Sequence, residues 1–162
     1  MNGHFIVNFF KSAAATVVFV VFFFFSIFMF LISRPVSAIL FLVIGAVFGY
    51  VALINGMTVN VDENGISKSL FGFVTMKFNW EDVAEIGVCG TKVFNKNHKD
   101  RVGTLYVYVS PSLLSEQDRF DMILKWPPKD KIYFVFKQKH LELIQMVSGL
   151  KTEAYNTGDL TV

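Results

Sequence analysis

Charge is distributed very unevenly along the chain. The first 61 residues contain two charged side chains, Lys11 and Arg34, whereas the remaining 101 contain twenty-six. Two uncharged apolar runs, 13–32 and 38–54, fill most of that first part, and five residues separate them. An α-helix needs about 20 apolar residues to cross a hydrocarbon layer of roughly 30 Å. The pattern therefore predicts a transmembrane helical hairpin within a first domain of residues 1–56.

Two other interpretations of these runs are weaker. A secretory signal has an apolar core of about 7–15 residues, whereas the first run is longer and is followed at once by a second. A buried soluble helix would need protein on all sides, and a domain of about 100 residues has little room to enclose one. The hairpin therefore remains the preferred interpretation.

Basic residues favour one orientation of this hairpin. Lys11 precedes it and Lys68 is the first of many that follow, whereas Arg34 alone lies in the connection. Cytoplasmic segments of membrane proteins carry an excess of Lys and Arg. We therefore expect a protein of the cell membrane in which both ends of the hairpin, and thus the soluble domain, lie on the cytoplasmic side. The lone Cys89 has no internal disulfide partner, which agrees with a reducing compartment.

From Met57 onward, short alternating segments bounded by turns replace the apolar runs. Such alternation with β-branched residues predicts strands, at 57–62, 66–70, 74–79, 84–94, 104–110 and 131–136. The turn at 62–65 predicts a positive φ for Gly65. Ser115 and Asp118 have the spacing of a capping box that begins a short helix reaching towards Trp126.

A terminal amphipathic helix is predicted after the last strand. Leu141, Ile144, Val147 and Leu150 recur every three residues and should face the strands. A sheet of six or so short strands must curl or be covered. The predicted fold is thus α+β, with a small antiparallel barrel or two orthogonal sheets closed by the terminal helix in a soluble domain of residues 57–151. Residues 152–162 are predicted to form a polar tail.

Two stretches carry a resemblance to a known group. Residues 58–66 (TVNVDENGI) and 78–83 (FNWEDV), the latter leading into Glu85 and Ile86, resemble the bacterial pleckstrin-homology-like (PH-like) membrane proteins with an N-terminal transmembrane hairpin. The likeness covers residues 57–150 and implies a PH-like β-barrel capped by a C-terminal helix. The long loop at 95–103 and the insertion at 115–126 depart from that pattern. The resemblance brings no catalytic motif.

The sequence contains no recognisable metal or cofactor motif. The candidate metal ligands are His4, His98, His140 and Cys89. No two of them have the spacing of a metal-ligand pair. Cys89 lies in a predicted strand, where a small buried hydrophobic role is expected. No metal or cofactor is therefore predicted.

Catalytic constellations are equally weak. The motif Ser110-Pro111-Ser112 lacks the glycines of a nucleophile elbow. Glu81 and Asp82 are adjacent carboxylates whose simpler role is to begin a turn. The prediction is a protein that is not an enzyme.

The two tryptophans are the most distinctive aromatic residues. Trp80 closes a predicted strand and is expected to anchor the core. Trp126 precedes Pro127 and Pro128, and two interpretations stay open: a place at the membrane interface or a cover over the sheet edge.

Two basic clusters are candidates for contact with anionic lipid headgroups. The first comprises Lys92, Lys96, Lys99 and Arg101, and the second comprises Lys125, Lys129 and Lys131. Residues 55–162 nevertheless carry thirteen basic and thirteen acidic side chains, so the net charge of this part is zero. Such a balance argues against nucleic-acid binding and favours ordinary solvated surface for each cluster.

The function predicted from these features is that of a two-pass membrane protein displaying a non-enzymatic PH-like binding or scaffolding domain. The alternative is an accessory subunit of a larger membrane complex, assembled through the hairpin, in which Gly45 and Gly49 form a small-residue face for helix packing. The expected partners are the lipid bilayer and, in the alternative, another membrane protein. The oligomeric state stays open.

Overall fold

The computed structural model describes residues 2–90 and 104–154. These residues form two compact units. One is the helical unit Ile6–Thr58, and the other, named the soluble unit, combines residues 2–5 with the described residues from Val59 onward. The basic cluster at 92–101 and the tail beyond residue 154 lie outside the described residues.

The elements follow the order predicted from the sequence, with one strand added at each end. The helices are α1 (Phe9–Leu31), α2 (Pro35–Gly56), α3 (Glu116–Leu124) and α4 (Gln138–Ser148). The strands are β1 (Gly3–Ile6), β2 (Thr58–Asp62), β3 (Gly65–Leu70), β4 (Phe73–Asn79), β5 (Glu85–Gly90), β6 (Leu105–Ser110), β7 (Ile132–Val135) and β8 (Thr152–Ala154).

The helical unit is a tight antiparallel hairpin. Helix α1 begins after Asn8, whose side chain accepts a hydrogen bond from the backbone N–H of Lys11 at 3.1 Å. It ends at a left-handed Ser33 with φ of 58°, and the N–H of Arg34 donates to the carbonyl of Met29. This is the Schellman arrangement. Pro35 then begins α2, where its fixed φ suits the first helical turn.

Small and hydroxyl-bearing residues line the contact between the two helices. Ala15, Ser26, Ala38 and Gly45 are buried there, although the helices expose most of their other side chains. The hydroxyl of Ser26 donates to the carbonyl of Ala38 at 2.8 Å, and that of Ser12 donates to the carbonyl of Ala52 at 2.9 Å. Close backbone approach and hydroxyl bonds are how helices associate in an apolar solvent.

The strands form two separate four-stranded sheets. Their orders are β1-β2-β3-β4 and β7-β6-β5-β8. Pairing is antiparallel except that β8 runs parallel to β5. The expected closed barrel is therefore wrong, and two sheets form instead. A 3₁₀ turn at Trp80–Asp82 interrupts the chain between β4 and β5, so the ladder of the first sheet stops at β4 within the described residues.

Strand β1 precedes the helical hairpin in the sequence but pairs with β2, which follows the hairpin. The whole helical hairpin is thus an insertion between two neighbouring strands, β1 and β2. The N–H of Val7 donates to the carbonyl of Met57, and the N–H of Asn8 donates to the carbonyl of Asn55. These two bonds continue the antiparallel pairing to the start of α1. Residues 1–56 had been expected to form the hairpin alone. At the other end, Thr152–Ala154 of the expected tail forms β8.

Gly65 corrects one prediction. It lies at the start of β3 and is not among the residues with positive φ, which include Phe71 and Gly72 in the next turn. Glycine is required at position 65 for a different reason. A Cβ there would overlap the backbone of Phe78 and Asn79 on β4. The close approach of two strands, rather than a left-handed turn, selects glycine.

Helix α4 buries the face that its periodicity predicts. Leu141 and Ile144 are buried, Val147 is partly buried and Glu142 is exposed, whereas Leu150, which was expected on this face, lies beyond the end of the helix and is partly buried. The helix ends at Gly149, which is left-handed with φ of 68°. The core of this unit contains residues of both sheets and of α4. Its largest fully buried side chains include Tyr108, Phe134, Ile66, Ile86, Ile132 and Ile144.

Trp80 does not reach the core as expected. It is half-buried, and its indole N–H donates to the carbonyl of Asp62 at 2.8 Å. The ring therefore ties the 3₁₀ turn to the end of β2. Trp126 takes the sheet-covering alternative, because it packs on Tyr106 and Tyr133 with ring centroids 4.5 and 4.9 Å away.

Candidate functional site

Of the residues proposed from the sequence for lipid contact, Lys92, Lys96, Lys99 and Arg101 lie outside the described part of the chain. In the second cluster, Lys125 pairs with Asp121 at 3.3 Å on the surface. Lys131 is largely buried and pairs with Asp130 at 2.7 Å. Two of these three lysines are thus engaged with carboxylates of their own domain.

Gly45 and Gly49 both face α1. A Cβ at Gly45 would lie 3.3 Å from Cβ of Phe22, and one at Gly49 would lie 3.2 Å from the ring of Phe19. Both distances are tighter than ordinary van der Waals contact. The small-residue face of α2 is therefore occupied by the neighbouring helix of the same hairpin.

The outward surface of the hairpin is apolar and exposed. Both helices have the length and composition to cross a membrane, with mean hydropathies of 2.7 and 2.5. Only 11% of the most apolar window of each helix is buried, so the described part of the chain encloses neither of them. Exposed apolar surface of this extent marks an interaction site.

The described residues contain no group of three histidine, cysteine or acidic side chains placed to hold a metal ion. Cys89 is 2% exposed, and burial raises the pKa of its thiol to about 12. A thiol of this kind is not a nucleophile at neutral pH. Cys89 behaves as the small buried hydrophobic residue expected from the sequence.

A buried ion pair joins β5 and α3. Glu85 on β5 has a side chain that is only 3% exposed, and Arg119 on α3 approaches its carboxylate at 3.2 Å through both Nε and Nη2. The hydroxyl of Tyr108 on β6 also donates to this carboxylate, as does the backbone N–H of Leu114 at 2.9 Å. The donors of Tyr108, Leu114 and Arg119 therefore all bond to the carboxylate of Glu85.

The surrounding residues are shaped to admit this cluster. Glu85, Gly87 and Tyr108 share one face of the second sheet, with Gly87 opposite Tyr108 in the ladder. A Cβ at Gly87 would overlap the hydroxyl end of the Tyr108 ring. Glycine at that position lets the ring lie flat on the strand and reach Glu85.

The cluster has a structural role. Burial alone would raise the pKa of Glu85, but the hydrogen bonds from Tyr108, Leu114 and Arg119 outweigh it and lower the pKa. The carboxylate therefore stays ionised and fully bonded at neutral pH, which leaves it no free position for proton transfer. It fastens α3 to the face of the second sheet. The sequence offered no signal for it, because Glu85 and Arg119 are 34 residues apart.

A second buried polar group lies beneath α4. The ring of His140 stacks on Phe5 of β1 with centroids 3.9 Å apart, and its Nδ1 is buried without a hydrogen-bond partner. Burial and, to a smaller extent, the charges of Lys137 and Lys139 lower the pKa of His140 to about 4. His140 also borders an open groove of about 360 Å³ with Gly3, His4 and Met146 among its other lining residues.

His140 makes the stability of the soluble unit dependent on pH. Its folded-state pKa lies below that of an exposed histidine, about 6.5, so the unfolded chain takes up the proton first. Stability is therefore full above about pH 6.5 and falls as the pH drops towards 4, by on the order of 3 kcal/mol at most. We expect His140→Phe to remove this slope while keeping the stacking on Phe5. Thermal melts of the native chain and of His140→Phe at pH 7, 6, 5 and 4 measure the pH dependence of stability. The same slope in the two proteins would show that His140 is not its source.

Lys68 is a third buried charged group. It is 7% exposed, and its ammonium lies 4.8 Å above the ring of Tyr133. Burial lowers its pKa. Lys68 belongs to the first sheet and Tyr133 to the second, so this cation–π contact links the two sheets.

The comparisons with known proteins identify no relative: no family model, no curated protein and no solved structure matches this chain.

Proposed function

We propose that this chain is a two-pass membrane protein whose soluble unit acts as a non-enzymatic, PH-like binding or scaffolding module at the membrane surface. The observation that carries this proposal is the helical hairpin itself. Its two helices of 23 and 22 residues expose apolar side chains on their outward faces, with Lys11 as the one charged residue in either helix. A bilayer is the solvent that such a surface fits.

The hydrogen bonding of the hairpin supports insertion. The turn between the helices satisfies its own backbone groups through the bonds of Ser33 and Arg34 described above. The hydroxyls of Ser12 and Ser26 bond to carbonyls of the opposite helix, so neither is exposed to lipid unpaired. The PH-like part of the proposal is supported by the two small sheets followed by α4.

The alternative of an accessory subunit depends on a free small-residue face. Gly45 and Gly49 already contact α1, so a partner helix would have to use other surfaces. This observation favours the proposal in which the soluble unit carries the function.

Topology labelling tests the membrane part. In a Cys89→Ser background, single cysteines at Ser33→Cys in the helix connection and Glu63→Cys in the soluble unit are reacted with a membrane-impermeant maleimide in sealed vesicles. The proposal requires that the protein resist extraction by alkaline carbonate and that the two positions label from opposite sides. Labelling of both from the same side would overturn the two-pass arrangement.

Crosslinking tests the binding role. Crosslinking in native membranes, followed by identification of the attached molecules, should recover contacts on the soluble unit. Size analysis after mild detergent extraction separates the two alternatives, since an accessory subunit requires a stable larger assembly. Crosslinks confined to the helices would favour that alternative.

The glycine face provides a separate prediction about the hairpin. Gly45→Leu with Gly49→Leu should force α1 and α2 apart, at a cost of about 1–3 kcal/mol for overpacking, because Phe19 lies against both positions and Phe22 lies against Gly45. Ala46→Leu, an exposed neighbour on α2, is the matched control and should cost little. The measurement is the helical circular-dichroism melt of the purified protein in detergent. Equal melts for the double variant and the control would exclude the packing role.

A further inference from the structure

The turn between β3 and β4 displays an apolar surface that no other part of the described chain covers. We define the hairpin tip as Phe71, Gly72, Phe73 and Val74. Phe71 is 82% exposed, Phe73 is 78% exposed and Val74 is 60% exposed. Together they present roughly 300–400 Å² of apolar surface, which is the size at which a patch marks an interaction site.

The tip is built at a conformational cost. Leu70 pairs with Phe73, so Phe71 and Gly72 form a two-residue turn, and both have positive φ, 50° and 85°. This turn type favours Asn-Gly or Gly-Gly. A bulky aromatic residue with positive φ is strained. The fold thus holds a strained phenylalanine outward in a place where its ring gains no packing.

The topology of the first sheet shows at which end of its strands the tip lies. Strand β2 begins at Thr58, one residue after α2 ends at Gly56, and β3 returns beside it. The side chain of Asn60 in the middle of β2 donates to Ser69 near the end of β3 at 3.3 Å, so the end of β3 lies beside the first half of β2. The tip therefore lies at the end of the sheet where the chain arrives from α2.

The charges of this hairpin suit an anionic surface. Residues 65–80 contain no acidic residue, and Lys77 is their one lysine available to a surface, because Lys68 is buried against Tyr133. Lys77 is exposed on β4, on the same hairpin as the tip. Two exposed aromatic rings and an exposed cation on one hairpin match the boundary between lipid tails and anionic headgroups.

From these observations we infer that the Phe71–Val74 tip inserts into the headgroup region of the leaflet from which α2 emerges, as a second, shallow membrane contact of the soluble unit. This inference rests on the proposed membrane insertion of the hairpin. The competing occupant is a protein strand or a second copy of this chain, because β4 is an edge strand that can accept another strand.

Depth-dependent fluorescence quenching tests the inference on the full-length protein. An environment-sensitive fluorophore is attached to Val74→Cys in a Cys89→Ser background, and the protein is reconstituted into vesicles of three parts phosphatidylcholine to one part phosphatidylglycerol. Glu63→Cys, in the exposed turn at the opposite end of β3, is the matched control. We expect a blue-shifted emission at position 74 that spin-labelled lipids quench at least threefold more than the emission at position 63.

A second variant shows whether the rings drive the contact. Phe71→Asn with Phe73→Thr should fold at least as well as the native chain, because asparagine tolerates positive φ and threonine suits a strand. In that background, lipid quenching at position 74 should fall to the level at position 63. Quenching that survives the double substitution would overturn the role of the rings.

The controls separate this inference from the proposed function. If the protein resists carbonate extraction but position 74 is quenched no more than position 63, the tip inference is wrong while the membrane proposal stands. If carbonate removes the protein from the vesicles, the membrane proposal itself fails. Quenching between fluorophores that rises with the protein-to-lipid ratio, without quenching by spin-labelled lipid, would assign the tip to a second copy of the chain.

Discussion

Replacing Phe5 with alanine is expected to destabilise the soluble unit by about 3–5 kcal/mol. Phe5 lies on β1, is 9% exposed, and contacts both the ring of His140 on α4 and the ring of Phe134 on β7, 4.8 Å away. Its removal leaves a cavity at a point where the first sheet, the second sheet and α4 meet. A loss of this size is comparable with the whole stability of a small domain.

The measurement uses a built-in reporter. The chain contains two tryptophans, Trp80 and Trp126, and both belong to the soluble unit. Their fluorescence therefore follows unfolding of that unit while the helices remain in detergent. Phe10→Ala, the same substitution at a residue that is 78% exposed on α1, is the matched control. If the two variants melted at equal temperatures, Phe5 would not be part of the core.

The same strand sets the true boundary of the soluble unit. A chain that begins at Met57 lacks β1, so the first sheet loses an edge strand and α4 loses the ring beneath His140. We expect that shortened chain to show no cooperative melt. A chain in which a short glycine-rich turn replaces residues 8–57, so that β1 runs directly into β2, should fold without detergent. Cooperative folding of the shortened chain would contradict this boundary.

The second large effect is expected at the buried ion pair. Arg119→Met removes the cation and leaves the Glu85 carboxylate buried and only partly compensated, which costs about 3–5 kcal/mol. Lys125→Met is the matched control on the same helix, because its pair with Asp121 is exposed and worth little. The tryptophan melt measures both variants. The double variant Glu85→Gln with Arg119→Met should recover part of the loss, since no buried charge then remains.

The pH dependence distinguishes this role from simple packing. In the native chain the folded-state pKa of Glu85 is lowered, so its contribution is full at neutral pH and is lost as the pH falls below about 4.3. In Arg119→Met, protonation removes the unpaired charge, so the difference in stability from the native chain should shrink on acidification. If the difference in stability between the native chain and Arg119→Met stayed constant from pH 7 to pH 4, Arg119 would contribute through packing alone.

Local pattern was sufficient for most of the elements. The absence of charge over two long runs predicts α1 and α2, because helix length and side-chain polarity alone decide whether a segment can span a bilayer. Alternation predicts strands β2 to β7, and most of their described ends lie within a few residues of the predicted ones. The Ser115–Asp118 spacing predicts the start of α3, where both capping-box bonds form. The face of α4 follows from its three-residue repeat. Each of these signals lies within a single helix, strand or turn of the chain.

What the sequence left undecided depends on partners distant along the chain. Strand β1 has four residues and no periodicity of its own, and only its pairing with β2 across the inserted hairpin makes it a strand. Arg119 finds Glu85 only after the second sheet and α3 are both in place. Gly65 is selected by the neighbouring strand, and the exposure of Phe71 follows from its place in the turn that the pairing of β3 with β4 creates. Backbone propensity acts between near neighbours, whereas these features arise from packing and charge pairing between segments that only the folded chain brings together.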